Sequence, residues 1–285
     1  MAQPIPISQP SPGGYVCEPG PRRIGESLAQ LWEYRGLVGV FVWRDLRLRY
    51  GNTVLGAGWN LLQPLGYLAV FSLVFRTTGG ARDAGAIPYP LFLFPGLVLW
   101  QLLSRILALG GSSVDSFRPL LSRVFFPRMI APLTAVTGAA VDFAVACSAL
   151  AVLLVAYGAR PGWILHSAPL YVAVTLVLGL GAALWLTALD VKVRDLRQPL
   201  AFGTQLWMFA SPVLYPLARV PAELRLLFLV NPMVGPLEGF RFAFVPGAPA
   251  PSAIALVASV AAAVALLVSG ALYFNAREAM LVDDG

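Results

Sequence analysis

Six long apolar stretches of the chain carry no Asp, Glu, Lys or Arg: Tyr50–Phe75, Ala84–Ser104, Phe143–Ala159, Gly162–Leu189, Gln198–Ala218 and Phe242–Ala276. The third is extended backwards by 129–141, with Asp142 as the sole charge inside it. An α-helix rises 1.5 Å per residue, so about 20 apolar residues cross the hydrocarbon core of a bilayer. Soluble domains carry about 25% charged residues, whereas these 285 residues are 12% charged and 58% hydrophobic. The expectation is an all-α, polytopic membrane protein with six transmembrane helices, near 56–75, 90–110, 131–157, 168–189, 199–217 and 252–274.

Cytoplasmic loops are richer in Lys and Arg than outer ones. With six crossings, fourteen of the twenty basic residues fall on the side of the termini and six on the other. Both termini are therefore expected in the cytoplasm. The net charge of +6 serves orientation, because no basic patch with interleaved aromatics suggests nucleic-acid binding. Residues 1–25 hold six prolines and no apolar period, and read as a disordered tail without a cleaved signal. Cys17 and Cys147 form no metal or redox spacing. The remaining divisions are an amphipathic interface region at 26–54, a transmembrane domain at 55–276 and a cytoplasmic end at 277–285.

Arg44, Asp45, Arg47 and Arg49 crowd the mouth of the first apolar run. At 100° per residue Val42, Trp43, Leu46 and Tyr50 share one arc, and the charges take most of the rest. Asp45 and Arg49 are spaced for an i,i+4 pair. Such a helix lies in the headgroup layer, either as a simple anchor or as a movable gate. On the outer side, Leu226–Leu237 is too short to span and is broken by Asn231-Pro232 and Pro236. A re-entrant helical pair leading into the last span is expected there, with a surface loop carrying one amphipathic helix as the alternative.

The stretch RDLRLRYGNTVLGAGWNLLQPL (44–65) resembles the opening signature of ABC transporter permeases of the polysaccharide and polyol-phosphate export group. O-antigen and teichoic-acid exporters belong to that group of type 2 ABC exporters. FFPRMIAPLTAVTGAAVDF (125–143), DVKVRDLRQPLAFGTQLWMFASPVLYP (190–216) and NPMVGPLEGFR (231–241) are similar to three later stretches, in the family's order. The resemblance implies six spans, a dimer, and a separate cytoplasmic ATPase that holds ATP and Mg. An undecaprenyl-linked glycan would pass between two copies in the inner membrane. It also implies substrate entry at Arg44, Arg47, Arg49 and Tyr50, and an outer gate at Asn231, Pro232 and Glu238.

The segment SSVDSFRPLLSRVFFPR (112–128) starts like a capping box, with Ser112 and Asp115, and Pro119 limits its length. A short helix presenting Asp115, Phe117, Arg118, Leu120 and Leu121 suits a groove on an ATPase, although an ordinary loop fits the same residues. A P-loop needs a Gly-rich turn before its lysine. Lys192 is the only lysine and lacks that approach. No cofactor is expected on this chain, and its energy source is expected on a partner.

Asp142 is the one carboxylate deep in a predicted span. An intramembrane charge faces protein or water. It would carry protons in a proton-coupled flippase, or make an interhelical hydrogen bond, for example to Thr175. Of the aromatics, the resemblance implies a channel lining for Tyr67, Phe71, Trp207 and Phe209, in spans one and five, with the ordinary interfacial belt as the alternative. Trp100 and Trp163 are assigned to the interfacial belt. Gly179 and Gly181 are expected to permit close helix contact. Drug or lipid export remains an alternative to polysaccharide export, and the lone pair Asp190 and Asp195 makes a poor glycosyltransferase metal site.

Overall fold

The uncharged runs become helices because they are rich in Leu, Ala and Val and because lipid offers no other partner for backbone N–H and C=O groups. A computed structural model describes residues 34–51, 58–77, 87–112, 128–190 and 197–278. The described residues form α1 (Arg35–Tyr50), α2 (Trp59–Thr77), α3 (Tyr89–Gly110), α4 (Ile130–Ala156) and α5 (Ala168–Asp190). They continue as α6 (Arg197–Phe209), α7 (Ala222–Val230), α8 (Val234–Phe244) and α9 (Ala253–Glu278). The proline-rich tail, Lys192, and residues 113–127 with Asp115, Phe117, Arg118, Leu120 and Leu121, where a docking helix was expected, lie outside the described residues.

Four helices among the described residues are long and apolar enough to cross a membrane: Tyr89–Gly110, Ile130–Ala156, Trp163–Leu189 and Ala253–Arg277. The expected first and fifth spans fall short of that length. The apolar part of α2 is Asn60–Val74. Helix α6 has 13 residues, or about 20 Å of rise. Beyond it the chain leaves helical geometry over 210–216.

Helix α3 is the centre of the bundle. Of its apolar window 78% is buried, against 22% for α9. Every residue from Leu91 to Trp100 is buried, and α3 packs against α2, α4, α5, α6 and α8. Lipid-facing positions on the outer helices explain why large side chains such as Val155, Val257 and Leu272 stay exposed. Helix α4 ends in a Schellman turn. The Gly158 N–H donates to the Val155 carbonyl at 3.0 Å and the Ala159 N–H to the Leu154 carbonyl at 2.9 Å. Gly158 takes the left-handed φ of 65° that this turn requires.

Helices α5 and α9 meet backbone to backbone. A Cβ at Gly181 would lie 2.5 Å from the Leu267 nitrogen and 2.6 Å from the Leu266 carbonyl carbon. Beside this contact Trp185 stacks on Tyr273 at 4.3 Å, and its Nε1 donates to Ser269 Oγ at 3.1 Å. The close approach expected at Gly181 is therefore present, and so is that at Gly179, which faces Ile106.

Gly181→Ala should force α5 and α9 apart, because backbone rather than a flexible side chain occupies the space. The expected loss is about 1–3 kcal/mol, typical of overpacking. Denaturant unfolding in mixed micelles checks it.

Candidate functional site

Polar residues recur at helical spacing on otherwise apolar helices. Helix α2 carries Asn60, Gln63 and Tyr67, α3 carries Gln101, Ser104 and Arg105, and α6 carries Thr204 and Gln205. Positions three and four apart share a helix face. The fold turns these faces toward one cavity of about 800 Å³, which Arg49 and Tyr50 of α1 and Asp142 of α4 also line.

Asp142 is the junction of this site. Its Oδ2 accepts from Arg105 Nε at 3.0 Å and from Arg49 Nη1 at 3.3 Å. Its Oδ1 accepts from the Tyr50 hydroxyl at 2.8 Å, and Tyr50 Oη in turn accepts from Asn60 Nδ2. One carboxylate thus joins α1, α3 and α4 directly, and α2 through Tyr50. Burial and the neighbouring Asp142 charge push the Tyr50 hydroxyl above its ordinary pKa. It therefore remains a proton donor to the carboxylate at neutral pH.

Apolar packing holds α1 in the same place. Phe41 is buried against Ile130 and Ala131 of α4, with Tyr34, Leu37 and Val38 beside it. The face of α1 that packs on the protein centres on Phe41 and Val42. Val42 is buried and Tyr50 turns to Asp142, whereas Trp43 is 69% exposed. The expected Asp45–Arg49 pair is also replaced. Asp45 accepts from Arg44 Nη2 at 2.9 Å, while Arg49 reaches across to Asp142. Tertiary attraction to a buried carboxylate outweighs a surface i,i+4 pair worth a few tenths of a kcal/mol.

The expected hydrogen bond between Asp142 and Thr175 is not formed. Thr175 Oγ1 donates to the Tyr171 carbonyl in its own helix at 2.9 Å. The sequence alone points neither to Arg105 as a partner for Asp142 nor to Asn60 as one for Tyr50. The available signal was the i,i+3,i+4 spacing of Gln101, Ser104 and Arg105.

Of the expected channel aromatics, Tyr67 lines the cavity and its ring lies 6.2 Å from that of Phe71. Phe209 is exposed at the end of α6. Trp207 meets Trp100 edge-on at 5.5 Å and donates from Nε1 to Asn231 Oδ1 at 3.1 Å. Trp100 is 3% exposed, so it belongs to the core rather than to an interfacial belt. Trp163 is 83% exposed, as a belt residue would be. Arg47 is an exposed residue of α1 and is not among those that line the cavity.

The expected outer-side residues lie on two short helices, α7 and α8. Asn231, in the turn between them, donates from Nδ2 to Ser211 Oγ at 2.9 Å and accepts the Met233 N–H at 3.1 Å. Pro232 is partly buried in the same turn, and Glu238 is half-buried on α8. Sequence reading passed over Arg241, which is fully enclosed. Its Nε donates to the Phe92 carbonyl at 3.0 Å, Nη1 to the Pro212 carbonyl at 2.6 Å and Nη2 to the Val213 carbonyl. The next carbonyl, Leu214, accepts from the Tyr89 hydroxyl at 3.0 Å. Side chains of α3 and α8 thus satisfy the irregular backbone that follows α6.

The ABC-2 type transporter model matches residues 36–245, from α1 through α8. The chain belongs to the ABC-2 type transporter family. This transporter is 33% identical over 251 residues to the O-antigen export system permease protein RfbA of Myxococcus xanthus, covering 87% of this chain and 95% of that protein. It is 25% identical over 214 residues to the RfbA protein of Klebsiella pneumoniae, covering 74% and 81%. It is also 24% identical over 243 residues to the polysialic acid transport protein KpsM of Escherichia coli, covering 84% and 92%.

Asp142→Ala should leave two guanidiniums without their shared acceptor and destabilise the transporter by ~2–3 kcal/mol. Hydrogen exchange should rise first in α1, across 44–50. Unchanged exchange there would contradict the junction. Arg241→Leu should remove ~3 kcal/mol or more, because three carbonyls lose their donor. Arg241→Lys should rescue only part of this in the same unfolding assay, since an ammonium lacks the fork geometry.

Proposed function

We propose that the chain is the membrane permease subunit of an ATP-driven exporter that moves lipid-linked cell-surface polysaccharide across the inner membrane. The observation that carries this reading is the 33% identity to an O-antigen export permease across 95% of its length. The relative named as a polysialic acid transport protein supports a polysaccharide as the cargo. Amide and hydroxyl side chains with Tyr67 line the cavity, and such groups exchange hydrogen bonds with sugar hydroxyls.

In this reading two copies line the path, with Phe71, Trp207 and Phe209 facing it. A separate ATPase docks on Asp115, Phe117, Arg118, Leu120 and Leu121, and carries the ATP and Mg. All six apolar runs cross, and both termini are cytoplasmic. Helices α2 and α6 are the short crossings, with 210–216 completing the second. Helices α7 and α8 form a re-entrant outer gate containing Asn231, Pro232 and Glu238. Arg44, Arg47, Arg49 and Tyr50 stand where an undecaprenyl-linked glycan enters. The pairing of Asp142 with two arginines favours this reading over a proton-carrying flippase.

The test is deletion of the encoding gene in its host. Surface glycan should fall to background while lipid-linked glycan accumulates inside, and the wild-type chain together with its ATPase should reverse both. Normal surface glycan in the deletion strain, with loss of efflux of a small amphiphile instead, would overturn the cargo assignment.

A further inference from the structure

The charge balance of the cavity is uneven. Arg49 and Arg105 both point at Asp142 Oδ2, so two cations share one anion, and Tyr50 contributes a neutral hydroxyl. The nearby Arg44 is paired with Asp45. A guanidinium carries five N–H donors, and Asp142 Oδ2 receives one from each arginine. The carboxylate sits back, 9% exposed, while the Arg105 side chain is 39% exposed at the cavity. A second anion would meet two cations and the amides of Asn60, Gln63 and Gln101.

The same helices that bear this polar wall are apolar on their other faces. Helix α2 exposes Leu62, Leu65 and Val70, and α6 exposes Phe202 and Leu206. A polar, positive recess flanked by exposed hydrocarbon fits an amphiphile with an anionic head. Phosphate matches the arginine pair because a guanidinium recognises it with parallel N–H donors.

We infer that this cavity binds the phosphoryl head of a carrier lipid, and that Asp142 is the built-in anion which the phosphate displaces from Arg49 and Arg105. The inference rests on the exporter reading and adds a headgroup site and its means of control. While Asp142 holds the arginines and Tyr50, α1 is tied to α4. A phosphoryl head that draws Arg49 away weakens that tie, so loading of the lipid loosens α1. The empty site in turn is kept closed to other anions by its own carboxylate.

The test uses the full-length protein in nanodiscs of phosphatidylcholine, with radiolabelled undecaprenyl phosphate as the probe. Wild type should bind it saturably. Arg49→Gln and Arg105→Gln should each weaken binding by roughly tenfold or more, the scale of a lost charge-assisted hydrogen bond. Asp142→Asn, which keeps the size of the side chain but removes the competing charge, should tighten binding by roughly tenfold. Unchanged affinity in Arg105→Gln, or no tightening in a folded Asp142→Asn, would overturn the inference. If Asp142→Asn does not fold, the two arginine variants decide alone.

Undecaprenol, which lacks the phosphate, should not compete; equal competition would remove the phosphoryl assignment. Inorganic phosphate or phosphatidylglycerol competing as well as the probe would remove the carrier-lipid assignment. A failure here with intact dependence of surface glycan on the chain would leave the exporter reading standing.

Discussion

A carboxylate set among membrane helices needs cations or donors at its oxygens, and here Asp142 draws them from three other elements. Arg49 and Tyr50 reach it from α1, Arg105 from α3, and Asn60 joins from α2 through Tyr50. The angle at which α1 meets the bundle follows from this, with Phe41 pressed on Ile130 and Ala131 as the apolar counterpart. The cavity also depends on it, because the residues satisfying Asp142 form its charged end. Charge neutralisation between elements thus positions a helix whose own sequence would place it anywhere along the lipid surface.

The opposite end of the bundle solves a different problem with the same means. Helix α6 stops early, and 210–216 continue as turns and bends. Backbone carbonyls at membrane depth need partners. Arg241 and Tyr89 provide donors for three consecutive ones, Pro212, Val213 and Leu214. Asn231 fastens the turn between α7 and α8 to Trp207 and Ser211 of the same region. Each end of the transporter therefore carries one hub residue, Asp142 or Arg241, whose partners come from separate elements. Between them lies the buried apolar length of α3, which contacts the helices bearing both hubs.

Much of the fold was legible because hydrophobic length is a local property. Helices expected at 90–110, 131–157 and 168–189 stand within a residue or so at Tyr89–Gly110, Ile130–Ala156 and Ala168–Asp190. Prolines and Asn231 likewise announced a broken segment before the last expected span, and two short helices occupy it. The candidate site was only half legible. Arg49, Tyr50 and Asp142 each drew attention singly, but their meeting was not foreseen, since they are 92 or 93 positions apart. Arg105 and Arg241 entered the sequence reading only within the count of basic residues on the two sides. A helical wheel shows which face a residue occupies and says nothing of which helix lies opposite.

The sequence by itself determined that this protein is helical, lies in a membrane and belongs with polysaccharide-type ABC permeases, because those follow from apolar length, arginine placement and ordered motifs. Only the tertiary structure decided that Asp142 is held by Arg49, Arg105 and Tyr50, that Trp100 is core, and that Arg241 secures the stretch after α6. The physical reason is that pairing energies depend on which helices come within a few ångströms, and that is set by the packing of whole faces rather than by any local run of residues.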